Sequence, residues 1–399
     1  MTGGGILTLV AYGAQNVILS GNPQMSYFYK TFKRYTHFAM ENITVPLEGP
    51  NELKWDQPIQ LRAKIPRYGD LLSDLYFSFD LPAIYSKYMA PETIPGRTAQ
   101  WEFEWVRYVG AAILQNAAMF VGGQKIQEFD GTYLLTRALL DMDQDTFLKW
   151  SALVGDVPEM TNPAAGAYAG GTSQTAYPTV VKDTITTAAQ ANRPSIQGRT
   201  IHVPLSFWFT ESPGLSVPLV GLQSQECEIQ ITLNPTQNLY TVLDNSGYRT
   251  NPTVRLVAPM ANIGLNLPEY AAYQYPDLSG NIRNFLTDYG VSQNTDPFFI
   301  NPRLQGTFVY LPDEERKVFA TRPLSYLVSR VQPYSFQGLI QRQVVELQTH
   351  NPVTRLIFVQ QRSDATARND FSNYTNWVNP AKAPYQVTPV ADPTLQSIA

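Results

Sequence analysis

The residues able to do chemistry are few and scattered. Three histidines, His37, His202 and His350, lie far apart, and none falls in an H-x-H or H-E-x-x-H pattern. A metal site on a β-scaffold needs His and Glu ligands clustered on adjacent strands, whereas this chain offers at most one His per region. The single cysteine, Cys227, sits on the apolar side of an alternating run, where a thiol behaves as a small hydrophobe and not as a nucleophile. Carboxylates group at Glu102 and Glu104, at Asp141, Asp143 and Asp145, and at Glu226 and Glu228. Paired carboxylates could serve a glycosidase, but that chemistry also needs a Trp-rich sugar cleft, and the six Trp are spread along the chain. The first and last groups read as outward faces of strands, the aspartates as solvated helix boundaries. No G-x-S-x-G elbow, P-loop or G-x-G-x-x-G is present, and the glycines of "TGGG" and "VGGQ" lack the helix-opening context that phosphate binding requires. The expectation is a protein that is not an enzyme, with no catalytic, cofactor-binding or metal residue. Asn42 and Asn373 head N-x-T sequons, a weak glycosylation signal.

Bulk properties set the frame for these scattered groups. The 399 residues suffice for two ordinary domains or one large β-rich unit. Hydrophobic residues make up 44% and charged residues 16%, below the roughly 25% of typical soluble domains. A large core is expected, and a surface partly committed to partners would explain the low charge. The net charge of −4 argues against a sequence-independent nucleic-acid binder, which needs a basic face; "YKTFKRY" (Tyr29–Tyr35) reads as a solvated strand edge. One cysteine excludes an internal disulfide framework. The start "MTGGGILTLVAYG" has no basic n-region, and no apolar run approaches a membrane span.

The elements are mostly short strands between prolines and glycines, 30 and 25 in number. In "IQLRAKIP", Ile59, Leu61, Ala63 and Ile65 share one face. In "LYFSFDLP", Leu75, Phe77, Phe79 and Leu81 point one way, with Tyr76, Ser78 and Asp80 the other. In "ECEIQITL", Cys227, Ile229, Ile231 and Leu233 face a core. This period of two is that of half-buried antiparallel strands. Gly122 and Gly123 can supply the positive φ angles of a two-residue turn, predicting a hairpin over Ala117–Phe129. Gly131–Leu153 reads as one or two short helices. "PDEERKVFATRP" reads as a helix of about two turns with Asp313 as N-cap. Gly155–Arg199, rich in Ala, Gly, Thr and Ser, reads as an exposed excursion, and Pro276–Asn301 and the proline-rich tail as soft regions.

Several phrases together resemble the major capsid proteins of large nucleocytoplasmic DNA viruses. They are the Leu9–Ile43 stretch; "IPRYGDLLSDLYFSFDLP" with Arg67, Gly69 and Asp70 in an R-x-G-D element; and "VGGQKIQEFDGTYL" with Gly122, Gly123 and Gln124. A fourth, Pro204–Leu233, matches through Pro204, Leu205, Phe207, Trp208, Phe209, Pro213, Gly214, Leu215, Pro218, Leu219, Leu222 and Gln223. The fifth is Thr307–Gln332, which carries Glu315, Arg316 and Phe319. The resemblance implies an all-β double jelly roll, two antiparallel eight-stranded β-sandwiches side by side, with short helices and long surface loops. It divides the chain into an N-terminal arm (1–24), a first jelly roll (25–312) with an insertion at 155–199, an inter-domain helix (313–322) and the beginning of a second jelly roll (323–399). Too few residues follow the helix for a whole second sandwich, so a longer protein or another chain is expected to complete it.

The resemblance further implies a homotrimeric capsomer, pseudo-hexagonal in outline, tiling the icosahedral shell of a virion assembled in the infected host cell cytoplasm. Its implied partners are itself, neighbouring capsomers and minor capsid or penton proteins, with an inner membrane touched only indirectly, no direct nucleic-acid binding and no cofactor. Two other readings stand beside it. One is a minor capsid or scaffold double-jelly-roll paralogue; the other is a jelly-roll carbohydrate-binding module or hydrolase, which lacks the clustered Trp or carboxylate site it would need.

Overall fold

The computed structural model describes residues 36–86, 103–163, 194–222, 224–243, 249–252, 282–286, 298–338, 344–349, 351–362, 365 and 368–375. The chain divides into two compact units, Met1–Phe38 and Ala39–Ala399; the first is described only at 36–38, and the Leu9–Tyr35 motif residues lie outside the described set.

Eight strands build the second unit: β1 (Ala39–Val45), β2 (Ile59–Lys64), β3 (Leu71–Leu81), β5 (Leu114–Val121), β6 (Gln124–Phe129), β7 (Arg199–Pro204), β9 (Cys227–Leu233) and β12 (Arg303–Tyr310). They pair as nested hairpins: first with last (β1 with β12), second with seventh (β2 with β9), third with sixth (β3 with β7), and fourth with fifth (β5 with β6). Two cross-pairings, β12 with β3 and β9 with β5, then roll the nest into two antiparallel sheets ordered β1-β12-β3-β7 and β2-β9-β5-β6. That distribution of eight strands over two sheets is jelly-roll topology. The sheets are open, with inward side chains of both merging into one continuous core. The short strand β8 (Val217–Pro218) adds to β3, and β4 (Phe103–Trp105), β10 (Tyr240–Leu243) and β11 (Arg249–Thr250) form a small third sheet.

The period-two reading explains the burial. In β2 the apolar residues Ile59, Leu61 and Ala63 are buried and the polar ones exposed, and in β9 Cys227, Ile229, Ile231 and Leu233 are buried. The β5–β6 turn places Gly122 and Gly123 at φ 57° and 81°, the doubly positive geometry that matches strand twist in a two-residue hairpin. One outward position differs from expectation. Ser78 is buried, because β3 is a central strand and its neighbours supply partners: the Ser78 hydroxyl lies 2.8 Å from His202 Nδ1 on β7 and 3.4 Å from Gln305 Oε1 on β12.

The helices are short: α1 (Val109–Ala112), which is wholly buried, α2 (Gly131–Asp141), α3 (Gln144–Leu153), α4 (Pro158–Thr161) and α5 (Asp313–Thr321). Asp130 caps α2 by accepting from Tyr133 N at 2.8 Å. The expected cap of α5 moves by one residue. Pro312 occupies the cap position in an extended conformation with no side-chain cap bond, and Asp313 is the first helical residue; Asp313, Glu314 and Glu315 still place negative charge in the first turn, where the helix dipole favours it. The insertion also begins differently from expectation. Gly155 (φ 90°) lies against Val109 and Ile201, and Met160 on α4 is buried, so the start of this stretch packs on the core through those two residues while Pro158, Glu159 and Asn162 stay exposed. Residues 164–193 lie outside the described set, as does the proline-rich tail. Within the Pro276–Asn301 stretch, Ile282 and Phe285 form part of the core. Among the described residues after Arg322, none lies in a strand or an α-helix, and Ala365 and Arg368 have 3-10 geometry.

Candidate functional site

Four of the motifs that are distant in sequence meet at one corner of the sandwich. Arg67, just before β3, donates from Nη2 to the carbonyls of Leu222 at 2.5 Å and Gln225 at 3.3 Å, pinning the loop after β8. Gly69 is the point where this segment crosses β12: a Cβ there would lie 2.9 Å from Phe308 Cβ and 3.1 Å from the Val309 oxygen, so only glycine fits the approach. Asp70 then ties three elements. Its N–H donates to Val309 O at 2.9 Å and its carbonyl accepts from Val220 N at 3.1 Å. Its buried carboxylate accepts from Leu311 N at 2.8 Å and from Arg316 Nε and Nη2 at 2.9 and 3.1 Å. The bidentate pair holds Arg316 firmly charged, and fixes both the strand exit and the first turns of α5.

The glycine hairpin reaches the same corner. Gly122 N donates to Glu226 O at 2.9 Å, beside the Gln225 carbonyl that Arg67 binds. Pro218 pairs with Leu71, Leu219 is buried, and Phe319 on half-buried ground lays its carbonyl 3.8 Å from the Cβ position of Gly221. Glu315 is half-buried on α5, and Gln124 opens β6 opposite Val121. Gln223 lies outside the described residues.

The remaining motif residues pack elsewhere. Pro204 ends β7 opposite Tyr76, and Leu205, Phe207, Trp208 and Phe209 are core. Phe207 sits edge-on to Phe129 with centroids 4.9 Å apart and stacks on Phe209 at 5.6 Å. Pro213, Gly214 and Leu215 form a single 3-10 turn leading into β8. Gln127, which sequence reasoning passed over, is buried and accepts from Trp208 N at 2.8 Å; it shares the inward face of β6 with Phe129, and its polar type gave no signal of burial.

The chemistry of the corner is that of a fastener. Burial pushes the Cys227 thiol up to about 11, with the Arg67 charge opposing it, so it is no nucleophile near neutral pH. Glu226 and Glu228 lie across from Lys64 (3.0 Å) and Arg62 (3.7 Å), as outward strand neighbours do. Asp141 meets Arg137 and Arg355, and Glu102 and His350 lie outside the described residues. Among the described residues, no group of three or more His, Cys, Asp or Glu is placed to hold a metal, and no helix is long and apolar enough to cross a membrane. Of the sequon asparagines, Asn42 is exposed on β1, whereas Asn373 is buried and its Oδ1 accepts from Thr375, so that amide has no room for a glycan in this fold.

Known proteins resemble this chain in the same region. The family described as "Major capsid protein N-terminus" matches residues 26–273, more than half of the chain. The major capsid protein of Chrysochromulina ericina virus is 26% identical over 388 residues, covering 90% of this chain and 57% of its own. Capsid protein 1 of Acanthamoeba polyphaga mimivirus is 31% identical over 241 residues, covering 60% of this chain and 36% of its own. The solved Faustovirus major capsid protein aligns over 77% of this chain and 60% of its own at 14% identity and a TM-score of 0.46. The chain spans about half the length of the curated relatives it matches. The matched residues carry seven of the eight sandwich strands, β1 to β9 without β12, and three of the motifs that meet at the corner, and the chain belongs to the major capsid protein family through that family's N-terminal domain.

Proposed function

We propose that this chain is a structural subunit of an icosahedral virus shell, self-associating into pseudo-hexagonal trimers that pack against neighbouring capsomers in the virion. The observation that carries the reading is the eight-strand jelly roll whose family motifs converge on one fastening corner. A shell subunit needs a stiff body with fixed flanks, and that corner ties β3, β12, α5 and the loop after β8 to one carboxylate and two guanidiniums. Trimerisation would bury apolar flanks at roughly 25 cal/mol per Å² removed from water, less the cost of ordering. Contacts between trimers can then each be weak, because many act together. In this reading 1–24 is an arm, 25–312 the first sandwich, 313–322 a connecting helix and 323–399 the start of a second sandwich. Minor capsid and penton proteins are the further partners, and the chain performs no catalysis.

A minor capsid role is the second reading, favoured by the fact that one of the similar mimivirus proteins bears a numbered capsid name. Quantitative mass spectrometry of particles purified from an infected host separates the two. A major subunit is the most abundant protein of the particle; a count of a few copies per particle, or loss on maturation, overturns the major-subunit reading.

A further inference from the structure

Ala365 and residues 368–375 follow β12 by a long way in sequence, yet they are buried or half-buried against the same core as the first sandwich. Ala365 is 2% exposed, Asn369 9% and Asn373 3%, while Phe371 and Tyr374 pack on the same continuous core as the strands. The segment is a small knot held by its own backbone: Asp370 N donates to Ala365 O at 2.9 Å, Phe371 N to Asn369 O at 2.9 Å and Asn373 N to Asp370 O at 3.2 Å. At its centre Asn369 takes φ 54°, a left-handed conformation that Asn enters at lower cost than most residues with a side chain.

From that conformation the Asn369 side chain reaches the small third sheet, at the start of β10 and just past β11. Its Nδ2 donates to the carbonyls of Gln237 at 2.6 Å and Tyr240 at 2.8 Å, and its Oδ1 accepts from Asn251 Nδ2 at 3.1 Å. Two donors and one acceptor are used at once, which only a primary amide supplies. Aspartate would set carboxylate oxygens against two carbonyl oxygens, and glycine would suit the backbone but leave both carbonyls without this donor. Tyr240 belongs to an aromatic cluster, stacked on Phe103 at 4.5 Å with Trp105 and Phe285 alongside, so the knot is tied to the backbone beside that cluster. The stretch leading to it is different: Phe358 and Val344 are more than four-fifths exposed.

We propose that the rim formed by Gln237, Tyr240 and Asn251 is a peptide-recognition site whose occupant is this chain's own 368–375 segment, and that the first sandwich is complete only when that segment docks. The ligand class is a neutral primary amide on a left-handed backbone with an aromatic residue two positions on, here Phe371. A division of the chain at residue 323 is therefore one of sequence and not of stability.

Hydrogen exchange read by mass spectrometry on the full-length chain tests this. In the wild type, amides of 368–375 and 237–243 exchange slowly and 344–362 fast. Asn369→Asp accelerates exchange in both 368–375 and 237–243 by roughly tenfold or more, the loss expected for two buried hydrogen bonds, while β3 and β9 keep their protection. A synthetic peptide of residues 362–376, added to that variant, restores protection at 237–243 saturably, and the same peptide carrying Asn369→Asp does not. Unchanged exchange at 237–243 in the variant, failure of the wild-type peptide to restore it, or a wild-type 368–375 segment that exchanges as fast as 344–362 overturns the proposal. The last comparison needs no variant, so it holds even where Asn369→Asp fails to fold.

Discussion

Strand β9 (Cys227–Leu233) and the stretch 353–359 carry comparable apolar side chains, and those side chains end in opposite places. In β9 every second residue is buried and the backbone is paired on both sides, by β2 and by β5. In 353–359, Val353, Leu356 and Phe358 are all more than half exposed, and no residue of 351–362 lies in a strand. The difference teaches that apolar content states what a segment can bury, while neighbours on both edges decide what it does bury. The first sandwich brings those neighbours from far along the chain, as Ala39 opposite Tyr310 illustrates.

The comparison breaks most visibly at glycines. A Cβ on Gly131 would fall 1.9 Å from the Ala111 carbonyl oxygen, whereas Gly338, at φ 72°, has nothing within 4 Å. Gly131→Val is expected to cost about 4 kcal/mol or more and to abolish a cooperative melt; Gly338→Ala carries only left-handed strain of about 1 kcal/mol. Calorimetry of the two variants measures both.

Core truncation comes next. Ile231→Ala removes a fully buried side chain of β9 and is expected to destabilise by about 3 kcal/mol, read as a lower denaturant midpoint. Phe358→Ser, at an exposed site of equal hydrophobicity, stays within about 0.5 kcal/mol.

Alkaline pH sharpens the contrast further. Burial raises Cys227 to about 11 and Tyr374 to about 12. Both groups are neutral in the folded chain where the unfolded chain has already ionised, so their stabilisation is complete below about pH 8.5 and is lost as pH rises through 11 to 12. Melting temperature should fall over that window, and Cys227→Ala should remove the lower part of the fall. A thiol reagent at pH 8 should label Cys227 only on unfolding.

The smallest effect is expected at Arg316→Ala. Its guanidinium is partly exposed, so melting should change little, but α5 loses its tie to Asp70 and its amides should exchange faster.

Much of the sandwich was legible in the sequence because period-two patterning is local: β2, β3 and β9 announce their buried faces residue by residue, and Gly122-Gly123 announces its turn. Ser78 was not, since its burial depends on β3 being central, a property of pairing and not of pattern. The corner was half legible. Arg67, Gly69 and Asp70 stood out as a motif, but nothing local says that Asp70 meets Arg316 or that Arg67 meets Leu222. Asn369 gave no signal, because an asparagine in a polar stretch looks like any turn residue until its acceptors arrive from Gln237 and Tyr240. The Asp313 cap missed by one residue because Pro312, with its fixed φ, took the position.

The central claim, a jelly-roll subunit that associates through its flanks, is tested most directly by the solution mass of the full-length protein. Light scattering across micromolar concentrations should give a single folded species of three chains; a well-folded protein that stays at one chain mass over the whole range would contradict it.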